Sequence, residues 1–300
     1  MAQPLVTIGL PLVNEPLADV ELAVRSIYAQ DVVDWELIIF CDGSSDEHVA
    51  RLRAISDSRV SIVRNPSPRG IGSNLNRLAH MATGKYIAIL ASDDLWAPDR
   101  LTVQLARLEG HNPPDVLAGQ MIVISDSTTV EGAQKPAVVP ESPRGWVAST
   151  PISHATAMAR TEWFRDHPYD ESLIRAQDRA FWITAHNGTS IEILDNEIYY
   201  YRVPKPISYR KYARSMRYTR RVIWTYGRKL CTIRELLSIF IESAIKQAIT
   251  AVLTVAGGAS MLYYRRIDPL TEDARRRHEK ILRTISGTPV PGWDDAGVAR

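Results

Sequence analysis

Apolar residues fall into two rhythms along this chain, short runs and helix-spaced repeats, and over the first 125 residues the two alternate. The runs at 5–13, 36–42, 60–65, 86–91 and 116–125 predict strands. Between them, residues 17–30 repeat Val20, Ala23, Val24 and Ile27 at helical spacing, and 47–55 follows Ser44-Ser45-Asp46, side chains that cap helix N-termini. A helix over 75–82 stops before Gly84, and one over 98–108 opens on Pro98, whose missing N–H costs nothing in a first turn. Strand, helix and strand in succession predict βαβ units and a parallel sheet.

The pattern then breaks. Residues 126–151 are polar and proline-containing, and read as a long loop or linker able to move over a site. Regularity returns with a short helix from Thr161 to His167, a helix over 176–186 and one or two strands over 190–203. From Ser208 the chain is basic and helical. Residues 247–264 carry no charge, but a spanning helix needs ~20 apolar residues, and Gln247, Thr250, Thr254 and Gly257-Gly258 interrupt these. Leu237, Phe240, Ile241, Ala244, Ile245, Ala248 and Ile249 share one face, and Glu242, Lys246 and Thr250 another, which predicts an amphipathic helix. Arg210, Lys211, Arg214, Arg217, Arg220 and Arg221 before it and Arg265-Arg266 after it suit an in-plane seat on an anionic membrane. Packing on the body with a solvated basic face fits the same pattern.

Composition narrows the class. The chain has 300 residues, 45% hydrophobic and 23% charged, enough for one large domain or two small ones and too apolar for disorder. Cys41 and Cys231 give no framework for disulfides or a thiolate metal site, and the first residues lack a signal-peptide pattern, so a cytoplasmic protein is expected, on or near the inner face of a membrane. The net charge of +2 hides an asymmetry: from Lys205 onward 19 Lys and Arg face 8 Asp and Glu, so this part carries +11 and the rest −9. The two regions therefore meet different partners.

Chemistry concentrates at strand ends. The strand from Tyr86 ends in Asp93-Asp94, where ligands of open α/β sheets bind, and two adjacent carboxylates call for a shared cation such as Mg²⁺ or Mn²⁺ bridging to a diphosphate. An aspartate there also caps helices. Asp42, followed by Gly43-Ser44-Ser45, can accept a hydrogen bond from a nucleobase or simply build a turn. Arg69 can reach a phosphate, and His154 and Arg160 are candidates for an acceptor side.

These segments recur in one ordered frame. Val6-Thr-Ile-Gly-Leu-Pro11-Leu-Val13-Asn14-Glu15, Asp42-Gly-Ser-Ser-Asp46, Asn76 through Ala82-Thr-Gly84-Lys-Tyr86-Ile and Leu90-Ala-Ser-Asp93-Asp94 are followed by Tyr169-Asp-Glu-Ser-Leu, Ala176-Gln-Asp178-Arg-Ala-Phe-Trp182 and Tyr201-Arg202. Over roughly residues 4–203 the chain resembles the family 2 glycosyltransferases, inverting enzymes of the A-type fold. The resemblance implies an α/β fold in which a mostly parallel, nucleotide-binding sheet is flanked by helices and followed by a basic helical C-terminal extension. It implies a nucleotide-sugar half over 1–125, an acceptor half over 126–205 and the extension over 206–300. Pro11, Val13, Glu15, Asp42, Arg69, Asn76 and Asp93 would surround the nucleotide sugar, with Asp42 at the base and Asp93 at the ribose or phosphates. Asp94 would hold Mn²⁺ or Mg²⁺, and Asp178 would be the general base.

The chain has Ala91, Gln177 and Val13 where many relatives have an acid, a glutamate and an aromatic residue. The Gln-x-x-Arg-Trp signature of processive synthases is absent, which favours transfer of one sugar, from UDP or dTDP, to a glycan or lipid-linked acceptor in surface polysaccharide or glycolipid assembly. A non-catalytic nucleotide-sugar-binding or assembly protein on the same fold is the competing expectation. The basic tail lacks a nucleic-acid recognition module, so no nucleic-acid partner is expected.

Overall fold

The computed structural model describes residues 4–150, 152–203, 209–255 and 265–294. Four strands, β1 (Val6–Leu12), β2 (Trp35–Cys41), β3 (Val60–Arg64) and β4 (Tyr86–Ile89), pair in parallel in the order β4-β1-β2-β3. Their side chains alternate between two cores. Leu37, Ile39 and Cys41 face one side of the sheet with α1 (Leu17–Tyr28) and α2 (Asp46–Arg53), while Ile38 and Phe40 face the other with α3 (Ile71–Met81). Gly9 is required in β1: a Cβ there would sit 2.1 Å from Leu78 Cδ2, so α3 could not lie so close.

The sequence readings of α1 to α3 hold, with shifts at the ends. Ser45 caps α2 by accepting from His48 N–H, and α3 begins at Ile71, earlier than expected, because Gly70 turns the chain into it at φ +86°. The next helix, α4, spans Arg100–Leu108.

Beyond residue 90 the sheet becomes mixed. Its remaining strands are β5 (Leu95–Trp96), β6 (Val116–Ser125), β7 (Val130–Gln134), β8 (Met158–Arg160), β9 (Ile191–Val203) and β10 (Ile267–Asp268). β8 inserts antiparallel between β4 and β6, β9 runs parallel to β6, and β5 pairs antiparallel with β9. The stretch 126–151 is not a bare loop. It turns at Thr128 (φ +59°) into β7, which zips onto β6, and then forms α5 (Pro143–Ala148), capped by Ser142. Its polar residues misled the reading because β7 is a sheet-side strand of only five residues, Val-Glu-Gly-Ala-Gln.

Helices α6 (Thr161–Asp166) and α7 (Gln177–Ala185) cover the α3 side of the sheet. The chain after residue 206 divides. Helices α8 (Tyr209–Val222) and α9 (Ile233–Val255) pack near α7 through Val222, Ile223, Leu236 and Ile239, whereas α10 (Glu272–Gly287) returns to α1, with Leu282 and Ile285 in a core beside Leu22. The expected continuation of the tail helix over 256–264, with Gly257-Gly258, lies outside the described residues, as do Lys205, Ser208 and the side chain of Lys211.

Candidate active site

The order β4-β1-β2-β3 reverses direction between β1 and β4, and the carboxyl ends there form the crevice where such sheets bind ligands. Pro11, Val13 and Glu15 leave β1, Asp42 leaves β2, and Asp93-Asp94 follow β4. Asp42 is 3% exposed and organises this rim. Burial alone would push its carboxyl up, but the Arg69 N–H (2.7 Å), Asn65 Nδ2 (2.8 Å) and Gly70 N–H (2.8 Å) all donate to it and hold it below the usual range. The turn reading and the binding reading of Asp42 therefore coexist: the carboxylate pins the 69–70 loop beside the crevice. That loop leaves the Arg69 side chain exposed, with no acid partner among the described residues. Val13 N–H donates to Glu15 Oε2 (2.9 Å), and His48 Nε2 bonds Glu15 O (2.8 Å), fixing the turn after β1.

The two acids of the pair sit in different surroundings. Asp94 is 2% exposed and both its oxygens are engaged: Tyr199 O–H donates to Oδ2 (2.8 Å) and Arg202 N–H to Oδ1 (2.7 Å). Burial, then the neighbouring Asp93, push its carboxyl well above the ordinary range. Asp93 is less enclosed. Its carboxyl is raised by burial and by Glu15 and Asp19, against the pull of Arg202. Asp94 is thus held within the fold on both oxygens, and Asp93 is the more open of the two.

Both aspartates are tied to Arg202, a residue for which no structural role was expected. β5 reverses the chain after Asp94 and pairs Leu95 with Tyr200 and Trp96 with Tyr199, which carries β9 under the acidic turn. Arg202, 4% exposed, donates from Nε to Asp93 O (2.8 Å) and from Nη1 to Ser125 O (3.0 Å), Asp126 O (2.9 Å) and Thr128 Oγ1 (3.0 Å), and its Nη2 lies 3.4 Å from Asp19. An arginine in an alternating strand next to Tyr201 was the available signal. Its partners lie more than 70 residues away in sequence.

Asp178 lies in the first turn of α7, where the helix dipole favours a negative charge. It is preceded by Ala176 in the left-handed region at φ +59°, a strained conformation for a residue with a Cβ. Asp178 Oδ1 accepts from Arg179 N–H (2.8 Å). Behind it sits His154, whose Nε2 bonds Tyr169 O–H and whose ring packs edge-on against Phe181 and Trp182, one helical turn beyond Asp178. Burial pushes His154 down to about 4, against the opposing pull of Asp178, so its imidazole is neutral at physiological pH. The Arg160 guanidinium lies over the Tyr86 ring, in the β8–β4 pair. Asn76 lies on α3, and its amide clamps that helix to the 169–171 segment, donating to Tyr169 O (3.0 Å) and Glu171 Oε1 (2.8 Å) and accepting from Tyr169 N–H (2.8 Å).

Tyr201 lies in β9 between Tyr200 and Arg202 and is 41% exposed. Burial pushes its phenol up to about 12, and Asp94, Asp93 and Asp178 all add to the shift.

Comparison with known proteins bears on the family and the fold. Residues 7–167, more than half of the chain, match the profile of Glycosyl transferase family 2. An uncharacterised glycosyltransferase of Methanocaldococcus jannaschii is 26% identical over 255 residues, covering 82% of this chain and 88% of its own. An Escherichia coli protein named as a UDP-Glc:α-D-GlcNAc-diphosphoundecaprenol β-1,3-glucosyltransferase is 31% identical over 108 residues, covering 36% of this chain and 42% of its own length. Among solved structures, the Pyrobaculum calidifontis mannosyltransferase in complex with GDP-Man and Mn²⁺ superposes with a TM-score of 0.58 at 16% identity, covering all of this chain and 89% of that one, and shows the shared A-type glycosyltransferase fold. With its acidic turn and Asp42 rim on that fold, the chain belongs to glycosyl transferase family 2.

Proposed function

We propose that this glycosyltransferase moves one sugar from a nucleoside diphosphate sugar, most simply a UDP sugar, to an acceptor hydroxyl with inversion. The observation that carries this reading is the crevice at the carboxyl ends of β1, β2 and β4, where buried Asp42 pins the 69–70 loop and the Asp93-Asp94 turn follows β4, on a chain whose residues 7–167 match the family. Asp42 and the loop it pins receive the base, and Arg69 and Asp93 face the diphosphate. Asp178 takes the proton from the acceptor hydroxyl as that oxygen bonds to the anomeric carbon. The bond from that carbon to the diphosphate breaks, and the nucleoside diphosphate leaves on the opposite face.

Hard carboxylate oxygens crowded by like charge suit a divalent cation. Among the described residues no group of three His, Cys, Asp or Glu side chains makes a cage. Asp93, in place of Asp94, would therefore hold Mn²⁺ or Mg²⁺ jointly with diphosphate oxygens. The ion supplies charge neutralisation for the leaving group.

A thermal-shift panel of nucleotide sugars with Mn²⁺ tests the donor. A ligand at 100 times its Kd adds about 2.7 kcal/mol of stability. One nucleotide class is expected to raise Tm and the others to leave it unchanged; no shift with any of them would refute the reading.

Two stripes on the C-terminal helices support a seat for this chemistry on a membrane surface. Ile233–Thr254 is long and apolar enough to cross a bilayer by length and composition, with only 11% of it buried. Leu236 and Ile239, however, dock on Val222, Ile223 and Ala180, while Ile233, Leu237, Ile241, Ile245, Ile249 and Val252 form the opposite face, each between 47% and 69% exposed. On α8, Arg210, Arg214, Arg217 and Arg221 are exposed at helical spacing. An in-plane seat satisfies both stripes. The protein is expected to sediment with anionic vesicles at low salt, and Ile241→Gln/Ile245→Gln to reduce the bound fraction about tenfold. Full recovery in the supernatant at both low and high salt would count against this seat.

A further inference from the structure

Asp178 stands on a helix whose first turn is held from outside. Ala176, the residue before α7, sits in the left-handed region at φ +59°, where its Cβ is crowded, and its carbonyl accepts the first bond of the helix from Ala180 N–H (3.1 Å). A residue strained in this way persists only where its surroundings over-determine it. Those surroundings come from the hairpin of α8 and α9.

Between these two helices the chain makes a π-helical turn, Ile223–Gly227, a rare form that is frequent at functional positions. Tyr226 in this turn donates its hydroxyl to Asp170 Oδ2. Asp170 Oδ1 accepts from Ser172 N–H (2.8 Å) and Asp170 O from Leu173 N–H (3.2 Å), which closes the turn leading to Ala176. The Tyr226 hydroxyl, then Ser172, hold the Asp170 carboxyl below its usual range, while burial and Asp170 push the Tyr226 phenol up to about 12. The phenol therefore stays the donor and the carboxylate the acceptor at neutral pH. Leu173, Ala176 and Tyr226 pack together against the cluster that holds Val222 and Ile223.

The same turn reaches the other side of α7. A Cβ at Gly227 would lie 2.6 Å from Val147 Cγ1, so the turn sits directly on α5. From α5 and the residues after it, Val147 O and Thr150 Oγ1 accept from Arg179 Nη1 (2.7 Å) and Nη2 (2.9 Å), next to the candidate base. The far end of the 169–176 segment is fixed on α3 by Asn76.

We infer that Tyr226 is a positioning residue: through Asp170 it holds Ala176 in its left-handed conformation, and so aims the first turn of α7 and the Asp178 carboxylate. The α8–α9 hairpin thereby becomes part of the transfer site. The inference rests on Asp178 being the base of the reaction proposed above. Asp170 and Tyr226 both lie beyond the 7–167 stretch that matches the family.

The test compares the full chain as wild type, Tyr226→Phe and Tyr226→Phe/Ala176→Gly, by amide hydrogen exchange and by hydrolysis of UDP-glucose with Mn²⁺, water being the acceptor. Loss of the one hydroxyl is expected to speed exchange of the Ala180 N–H at least ~10-fold and to leave the amides of β1 and β4 protected. The kcat for hydrolysis is expected to fall about 10–100-fold with KM unchanged, as for a misplaced base. Glycine adopts a positive φ without strain, so Ala176→Gly in the same chain is expected to recover most of both losses. Unchanged Ala180 exchange, faster exchange throughout the sheet, a rise in KM in place of the fall in kcat, or no recovery with Ala176→Gly would each overturn the inference. Equal hydrolysis by Asp178→Asn and the wild type would instead remove the base reading beneath it.

Discussion

Asp178→Asn is expected to lower sugar transfer by roughly 10²–10⁴-fold, the usual contribution of a positioned general base, while leaving nucleotide binding intact. The substitution is nearly isosteric, and the Asn carbonyl can still accept the Arg179 N–H bond that Asp178 Oδ1 now accepts, so α7 keeps its first turn. The wall behind it does not change: His154 holds Tyr169 and packs on Phe181 and Trp182. Only the proton acceptor is removed, and His154 cannot replace it, because its Nε2 is committed to Tyr169 and its Nδ1 is buried. Measured kcat should therefore collapse with the Kd for the nucleoside diphosphate unchanged. Equal turnover in the variant would put the base elsewhere. No turnover in the wild type, with nucleotide still bound, would favour an assembly protein on this fold.

Arg202→Met should cost about 3–5 kcal/mol of folding stability, the usual penalty for removing one partner of a buried ionic network. The methionine keeps much of the volume but strips donors from Asp93 O, Ser125 O, Asp126 O and Thr128 Oγ1, and leaves Asp19 without its nearby cation. Asp94 keeps the Arg202 backbone N–H and the Tyr199 hydroxyl, but its buried charge loses the guanidinium that offsets burial and Asp93. Arg202→Lys should restore little, because one ammonium cannot span acceptors held by a planar fork. Urea unfolding of the three proteins would measure this, and a loss under ~1 kcal/mol for the methionine variant would show that the network is not a keystone.

Local signals were legible where the physics is local. Strand alternation, the Ser45 cap and the strand-end carboxylates all follow from residues near in sequence, and the parallel half of the sheet follows from them. Two kinds of feature were not legible. One is pairing at long range: nothing in Tyr199 or Arg202 announces that β5 will fold β9 beneath Asp93-Asp94, so the enclosure of Asp94 and the greater openness of Asp93 could not be read from the sequence. The other is competition for a side chain. Asn76 sits in a motif of nucleotide-sugar enzymes, yet its amide is consumed by the Tyr169–Glu171 turn, a use set by the fold of the acceptor half. The short β7 and α5 escaped because few residues carry their periodicity, and their stability comes from pairing with β6 and packing on α7.

The most direct measurement for the donor site is a calorimetric titration of UDP, with and without Mn²⁺, into the wild type, Asp93→Asn and Asp178→Asn. If Asp93 shares a cation with the diphosphate at the end of β4, wild-type binding requires the metal, Asp93→Asn loses it by at least ~10-fold, and Asp178→Asn binds as the wild type does. Binding that ignores Mn²⁺, or that survives Asp93→Asn unchanged, would contradict a metal-bridged nucleotide sugar at the acidic turn.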